Sequence, residues 1–230
     1  MKLIITCFSA AVLGLLVPGT ARAIDEREEV LRSAQILNRL ESIPERGIPQ
    51  EIIRNARGLA ILRVYKVGLG ISGRGGKGVV VSRTPRGGWS GPAFIRTGGA
   101  GYGPQVGAKV TDFVLVLNTQ QAVDAFARGG NITLGGALSA AIGPVGRTAE
   151  LDIAPIAAVY TYSQSRGLFI GASLEGTVLT ASPRSNTAFY GRPVSPHAIL
   201  NGSVRPPQGA APLLGALPSR GRGAKGYAMR

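Results

Sequence analysis

Beyond Leu59 the chain stops reading like a helix. Its apolar residues gather in short runs, Leu59–Ile71, Val79–Arg83, Trp89–Arg96, Val110–Leu117, Ile132–Ala140, Ala157–Ser163 and Leu168–Thr180, each closed by Gly, Pro, Asn or Ser. Runs of that kind between such terminators predict strands. Upstream the period differs: Val30, Ala34, Leu37, Leu40 and Ile43 recur at helical spacing, with Glu26, Glu28 and Glu29 near the positive end. This predicts an amphipathic helix over Asp25–Ile43, broken by Pro44 and Gly47. Pro49 can open a short second helix through Ala56, with Gly58 as its cap. Thr119 reads as the N-cap of a further helix over Gln120–Ala127. Helices first and strands afterwards argue against a βαβ alternation. The pattern predicts an α+β fold, with N-terminal helices packed on a curved, mostly antiparallel, glycine-rich sheet and one inserted helix. Gly68, Gly70, Gly171 and Gly176 fall inside predicted strands, which suits a bent or bulged sheet.

The ends read differently. Met1-Lys2, an apolar stretch from Leu3 to Val17 and the small-x-small site Ala21-Arg22-Ala23 have the form of a secretory signal peptide over residues 1–23. At about 1.5 Å per residue the apolar run is short for a bilayer core of about 30 Å. An uncleaved anchor and an organellar targeting segment are the alternatives. Residues 24–204 form the expected domain. From Arg205 the composition narrows to Pro, Gly, Ala and Arg, so residues 205–230 are expected to be a disordered basic tail.

Charge divides the chain into blocks. The whole carries 26 Lys+Arg against 12 Asp+Glu, a net charge of +14. Residues 24–51 hold seven acids and four bases, whereas residues 52–111 hold ten bases and no acid. Cys7 and His197 are each the sole residue of their type, which excludes a Cys/His zinc site and a disulfide framework. Gly68-Leu-Gly70-Ile-Ser-Gly73 has the dinucleotide spacing but no acid follows before Asp112. Gly73 to Val80 has the spacing of a kinase glycine loop without the segments a kinase needs, and no P-loop is present. Gly171-Ala-Ser173-Leu-Glu175 is not a nucleophile elbow. Glu150 and Asp152 stand two apart, yet nothing in the sequence brings a second acid to either. His197 reads as a surface or satisfied histidine. The chain is therefore expected not to be an enzyme and to need no cofactor and no metal. Asn131 and Asn201 open glycosylation sequons, relevant only in a eukaryotic secretory protein.

Ser72-Gly-Arg74-Gly-Gly-Lys77-Gly78 admits two readings. Successive backbone N–H groups flanked by cations can form an anion-binding nest, or the segment is a hairpin whose charges are solvated.

Taken together, Asn55-Ala-Arg-Gly-Leu-Ala-Ile61, Ser72 to Val79, Trp89-Ser-Gly-Pro92, Gly107 to Val114, Gly129 to Gly136, Gly143 to Glu150, Tyr162 to Phe169, Ser173-Leu-Glu-Gly176 and Phe189-Tyr-Gly191 resemble the SYLF domain. That family comprises yeast actin-patch regulators and related phosphoinositide-binding proteins, and the resemblance runs from Asp25 to Gly202. It implies a non-enzymatic membrane-surface module that binds anionic lipid headgroups, or an actin-binding and bundling regulator if the chain is cytosolic. Family lipid binding is associated with the N-terminal helix and nearby basic positions. Because the helix here begins acidic, the headgroup-binding residues are expected to be Arg54, Arg57, Arg63, Lys66, Arg74 and Lys77. Expected partners are anionic membrane lipids, and actin for a cytosolic chain. Nucleic acid is disfavoured, since Tyr227 is the one aromatic in the Arg-Gly tail. A cleaved signal places the protein in the secretory pathway, the periplasm or outside the cell; otherwise it is membrane-associated.

Overall fold

The computed structural model of the chain describes residues 18–44, 47–133, 139–144, 157–167 and 178–218. Helix α1 (Pro18–Glu41) is followed by α2 (Gln50–Asn55) and two 25-residue strands, β1 (Gly58–Ser82) and β2 (Ala93–Leu117). Next come α3 (Gln120–Ala127), β3 (Asn131–Thr133), β4 (Ala140–Ile142), β5 (Val159–Gly167) and β6 (Val178–Ala181). The chain then forms α4 (Pro183–Tyr190), α5 (Pro196–Leu200), a 3₁₀ turn (Gln208–Ala210) and α6 (Ala211–Ala216). The fold is α+β, as the order of helices and strands predicts.

β1 and β2 form one long antiparallel hairpin, with Gly58 opposite Leu117 and Val80 opposite Ala93. On its other edge β2 pairs with β6 over Ile95–Gly98 and with β5 over Lys109–Leu117. β3 extends the sheet beyond β6, and β4 lies parallel to β5. The register slips between Leu69 and Ile71: Leu69 faces Val106 whereas Ile71 faces Tyr102. Three β2 residues, among them Pro104 without a backbone N–H, therefore oppose Gly70 alone, and a bulge of this kind bends a hairpin.

Each long strand joins two runs that the sequence separates. Ser72–Gly78, expected to be a loop, continues β1 and is paired residue by residue with β2, Gly73 opposite Ala100 and Gly76 opposite Thr97. None of Gly73, Gly75, Gly76 and Gly78 has a positive φ. The anion-binding nest is thus corrected: these N–H groups belong to strand. Low strand propensity is overridden by tertiary contact. The bend brings the end of β1 back onto its beginning, and a Cβ at Gly78 would lie 2.2 Å from the Ile61 carbonyl oxygen. Only glycine permits that approach.

Both faces of the sheet are covered. Leu59, Ile61, Val79, Val114 and Val116 pack with Val30, Ala34, Leu37 and Leu40 of α1. The alternate residues Ala60, Leu62, Val80, Leu115 and Leu117 pack with Val123 and Phe126 of α3 and Ile199 of α5. This double burial is why the strands read as unbroken apolar runs rather than alternating ones. The Thr119 cap forms as expected, its hydroxyl accepting from the Ala122 N–H at 3.1 Å.

Residues 205–218 correct the expected tail. Ala210, Leu213 and Leu217 are buried in the cluster under α1, and Trp89 Nε1 donates to the Pro218 carbonyl at 2.9 Å. A handful of well-spaced apolar residues is enough when an existing cluster receives them, which composition averaged over 26 residues conceals. Residues 219–230, with Arg220, Arg222 and Lys225, lie outside the described residues, as do residues 1–17 of the expected signal peptide. Residues 18–23 continue α1 as helix. No helix among the described residues is long and apolar enough to cross a membrane.

Candidate basic groove

Because β1 is bent double, its arms meet at one level and diverge at another. They touch where a Cβ on Gly76 would come within 2.5 Å of the Arg63 carbonyl oxygen. Away from that point a groove of about 710 Å³ opens. Arg63, Tyr65 and Val67 line one wall, successive members of one strand face; Arg74 and Lys77 line the other, with Arg96 from β2 and Arg32 from α1. Tyr65 and Val67 are 49% and 59% exposed, two of the three large apolar side chains left open among the described residues.

Of the six residues expected to bind headgroups, the groove gathers Arg63, Arg74 and Lys77. Arg54 is on α2, paired with Glu51 at 2.5 Å. Arg57 lines a different cavity. Lys66 faces away from Tyr65 by strand alternation; its own burial, and then Arg74 and Lys109, pull its ammonium below the ordinary lysine range. Arg32 and Arg96 escape sequence reasoning. Arg32 sits in the acidic block, and Arg96 joins the others only through its pairing opposite Lys77.

Asp112, 2% exposed in the middle of β2, holds the groove residue Arg63 in place from below the surface. Its carboxylate accepts from Arg63 Nε at 2.6 Å and Nη2 at 2.9 Å, from Arg39 of α1 at 3.1 Å and from Arg166 of β5 at 3.3 Å. The bond to Asp112 holds the Arg63 guanidinium more firmly charged than usual. Removing one partner of a buried ionic cluster costs about 3–5 kcal/mol, but these arginines are partly exposed and can be rehydrated. Asp112→Ala is therefore expected to destabilise the fold by about 2–3 kcal/mol, lowering Tm by roughly 5–10 °C in thermal melts.

Asp25 and Glu29 lie within α1, which starts at Pro18 rather than at the expected Asp25, and face the basic arms of β1. Lys77 Nζ lies 2.5 Å from Asp25 Oδ2, which raises the lysine pKa. Arg32 bridges Glu28 at 2.9 Å and Glu29 at 2.6 Å. The negative block of the sequence is thus the counter-charge of the positive one. Burial pushes the Glu29 carboxyl above its ordinary range, and Arg32 and Lys77 offset only part of that rise. Its Oε1 is buried without a hydrogen-bond partner among the described residues. A raised folded pKa means that the folded state holds this proton more tightly than the unfolded state, so stability falls as pH rises through the interval above the ordinary glutamate value. Glu29→Gln is accordingly expected to melt higher than wild type at neutral pH, with the difference vanishing below about pH 4. Arg96 has no carboxylate within ion-pair distance among the described residues. The groove therefore offers anion-binding guanidinium groups beside two exposed apolar side chains.

Residues 98–220 match the family model described as Ysc84, Las17-binding protein actin regulator. The human SH3 domain-containing YSC84-like protein 1 is 44% identical over 200 residues, covering 84% of this chain and 58% of that protein. LAS seventeen-binding protein 3 of Saccharomyces cerevisiae is 45% identical over 177 residues, covering 75% of this chain and 39% of its own length. The frog relative, also named SH3 domain-containing YSC84-like protein 1, is 43% identical over 201 residues. The chain thus spans between two fifths and three fifths of these relatives.

Proposed function

Since the chain belongs to the Ysc84 (SYLF) family of actin regulators, we propose that it is a non-enzymatic binding module whose basic groove docks on a membrane surface carrying anionic lipids. The observation that carries this reading is the placement of exposed Tyr65 and Val67 between Arg63, Arg74, Lys77 and Arg96. An interfacial site needs this combination: apolar side chains to enter the headgroup layer and cations to hold the anionic surface. Each cation near such a surface contributes about 1 kcal/mol, falling off within a Debye length of about 8 Å at physiological salt. Arg32, Arg63 and Lys77 already hold carboxylates, so Arg96, which has none within ion-pair distance among the described residues, contributes most directly, and Arg74 beside it in the groove adds to the positive field. Removal of residues 1–23 would leave every groove residue in place.

Vesicle co-sedimentation tests the proposal. Binding is expected to vesicles of phosphatidylserine in phosphatidylcholine, to fall steeply with salt, and to be absent with phosphatidylcholine alone. A preference for phosphoinositide over phosphatidylserine at matched charge would add headgroup selectivity. Equal binding to neutral vesicles, or none to anionic ones, would overturn it.

The second reading, an actin regulator, is favoured by the description of the family and by the name of the yeast relative. A basic groove suits an acidic protein surface as well as a lipid one. Filament co-sedimentation at physiological salt and N-terminal sequencing of the native protein separate the readings. Pelleting with filaments and an intact N-terminus support actin, whereas a chain beginning at residue 24 points to a non-cytosolic membrane surface.

A further inference from the structure

Lys66 and Lys109 stand directly opposite each other where β1 pairs with β2. Residues so placed share one face of a sheet with their Cβ atoms about 4.5–5.5 Å apart, and two like charges there repel. That face is not the one that carries Arg63, Tyr65 and Val67, nor the one that Asp112 serves, because side chains alternate along each strand. Lys109 is only 9% exposed and has no carboxylate within ion-pair distance among the described residues. On its other side β5 sets Gly167 against it, which brings no counter-charge. The returning arm of β1 adds a third cation, Arg74, whose charge bears on Lys66. We infer that Lys66 is a modification site, an amine set up to take an acyl group from an activated donor such as an acyl phosphate.

The chain has five lysines, Lys2, Lys66, Lys77, Lys109 and Lys225. An amine attacks an acyl carbon only in its neutral form, so a place that disfavours the ammonium favours the reaction. At Lys66 burial, then Arg74 and Lys109, disfavour the ammonium, and the side chain is still partly exposed. At Lys77 the hydrogen bond to Asp25, 2.5 Å long, favours it. Lys109 shares the like-charged surroundings but is shut away from a reagent. In the step itself the Lys66 Nζ lone pair forms a bond to the acyl carbon. The bond from that carbon to the phosphate oxygen breaks, phosphate leaves with the electron pair, and the proton on nitrogen passes to water. The product is a neutral amide, so the modification removes one of two charges that repel each other across the hairpin. The site stands apart from the groove and does not depend on membrane docking.

The full chain treated with acetyl phosphate at pH 7, followed by peptide mass spectrometry, tests the inference. Lys66 is expected to be acetylated at least about fivefold faster than Lys77, and its rate to level off at a lower pH as the pH is raised. Taking away a neighbouring cation should slow Lys66 at pH 7 by about threefold, in Arg74→Gln and again in Lys109→Gln. A lysine that reacts merely because it is exposed would not respond to either change. Circular dichroism checks that each variant is folded, and Arg74→Gln keeps the test open if the buried substitution is not tolerated. A Lys66 rate no greater than that of Lys77, or one that no folded variant alters, would overturn the assignment.

Discussion

Charge reversal of Arg74 and Arg96 together is expected to lower affinity for anionic vesicles about a thousandfold. Each substitution removes an attraction of about 1 kcal/mol and adds a repulsion of similar size, about 4 kcal/mol for the pair, where every 1.4 kcal/mol is about tenfold. Both residues line the groove, and the substitutions leave the Lys77–Asp25 pair and the Asp112 cluster untouched. A pair of equal charge change, Arg54→Glu with Arg128→Glu, serves as the comparison. Arg54 belongs to α2 and Arg128 ends α3, both exposed and outside the groove lining. Vesicle pelleting should separate the two double variants by at least tenfold. Equal losses would mean that net charge alone drives binding, with no role for the groove.

Gly78→Ala is expected to be strongly destabilising, with the shortest approach to backbone of any described glycine. The new Cβ would stand 2.2 Å from the Ile61 oxygen and 2.5 Å from the Leu62 Cβ. The first of these is backbone, so no side-chain rotation relieves the contact. Overpacking of a core costs about 1–3 kcal/mol and occasionally more, and a backbone clash belongs at the upper end. A loss of about 3 kcal/mol would lower Tm by roughly 6–12 °C, unless the hairpin fails to close at all. Three residues earlier the expectation reverses. A Cβ at Gly75 meets nothing within 4 Å, and alanine restricts the unfolded chain more than glycine does, so Gly75→Ala should be neutral or stabilising by under about 1 kcal/mol. Circular dichroism melts of both variants decide the matter. A Gly78→Ala protein as stable as wild type would mean that the arms of β1 do not meet, and the groove would lose its wall.

The contrast between these two glycines explains how much the sequence discloses. Helix spacing in α1, the Thr119 cap and the apolar runs around Leu59 and Val114 report local and burial preferences directly, so the class of fold is legible. The continuity of β1 through Ser72–Gly78 is not, because its cause is long-range: the partner strand and the approach of Ile61 lie outside any local window. The same holds for the site. A block of bases without acids marks Arg63, Arg74 and Lys77 as candidates, but equally Arg54, Arg57 and Lys66, which the bend of the hairpin sends elsewhere. Arg96 enters the groove through its register opposite Lys77, and Arg32 through the docking of α1, neither of which a linear charge count records. The acidic stretch around Asp25–Glu29, which in the linear sequence argues against anion binding there, lies inside α1 and is the counterpart of the basic arms once the helix is laid across them. The apolar residues of α6 are too few to stand out in a Pro/Gly/Ala composition, yet they fill places on a surface that α1 has already built.

In the proposed docking mode Val67 and its neighbours enter the membrane while the basic side chains hold its surface. A polarity-sensitive fluorophore on Val67→Cys, with Cys7→Ser removing the sole native thiol, tests it directly. Added phosphatidylserine vesicles should shift the emission to the blue and raise its intensity. The same label on Arg192→Cys, exposed between α4 and α5, should not respond. A label at position 67 that stays in water while the protein pellets with vesicles would contradict the account and place the membrane contact on another face.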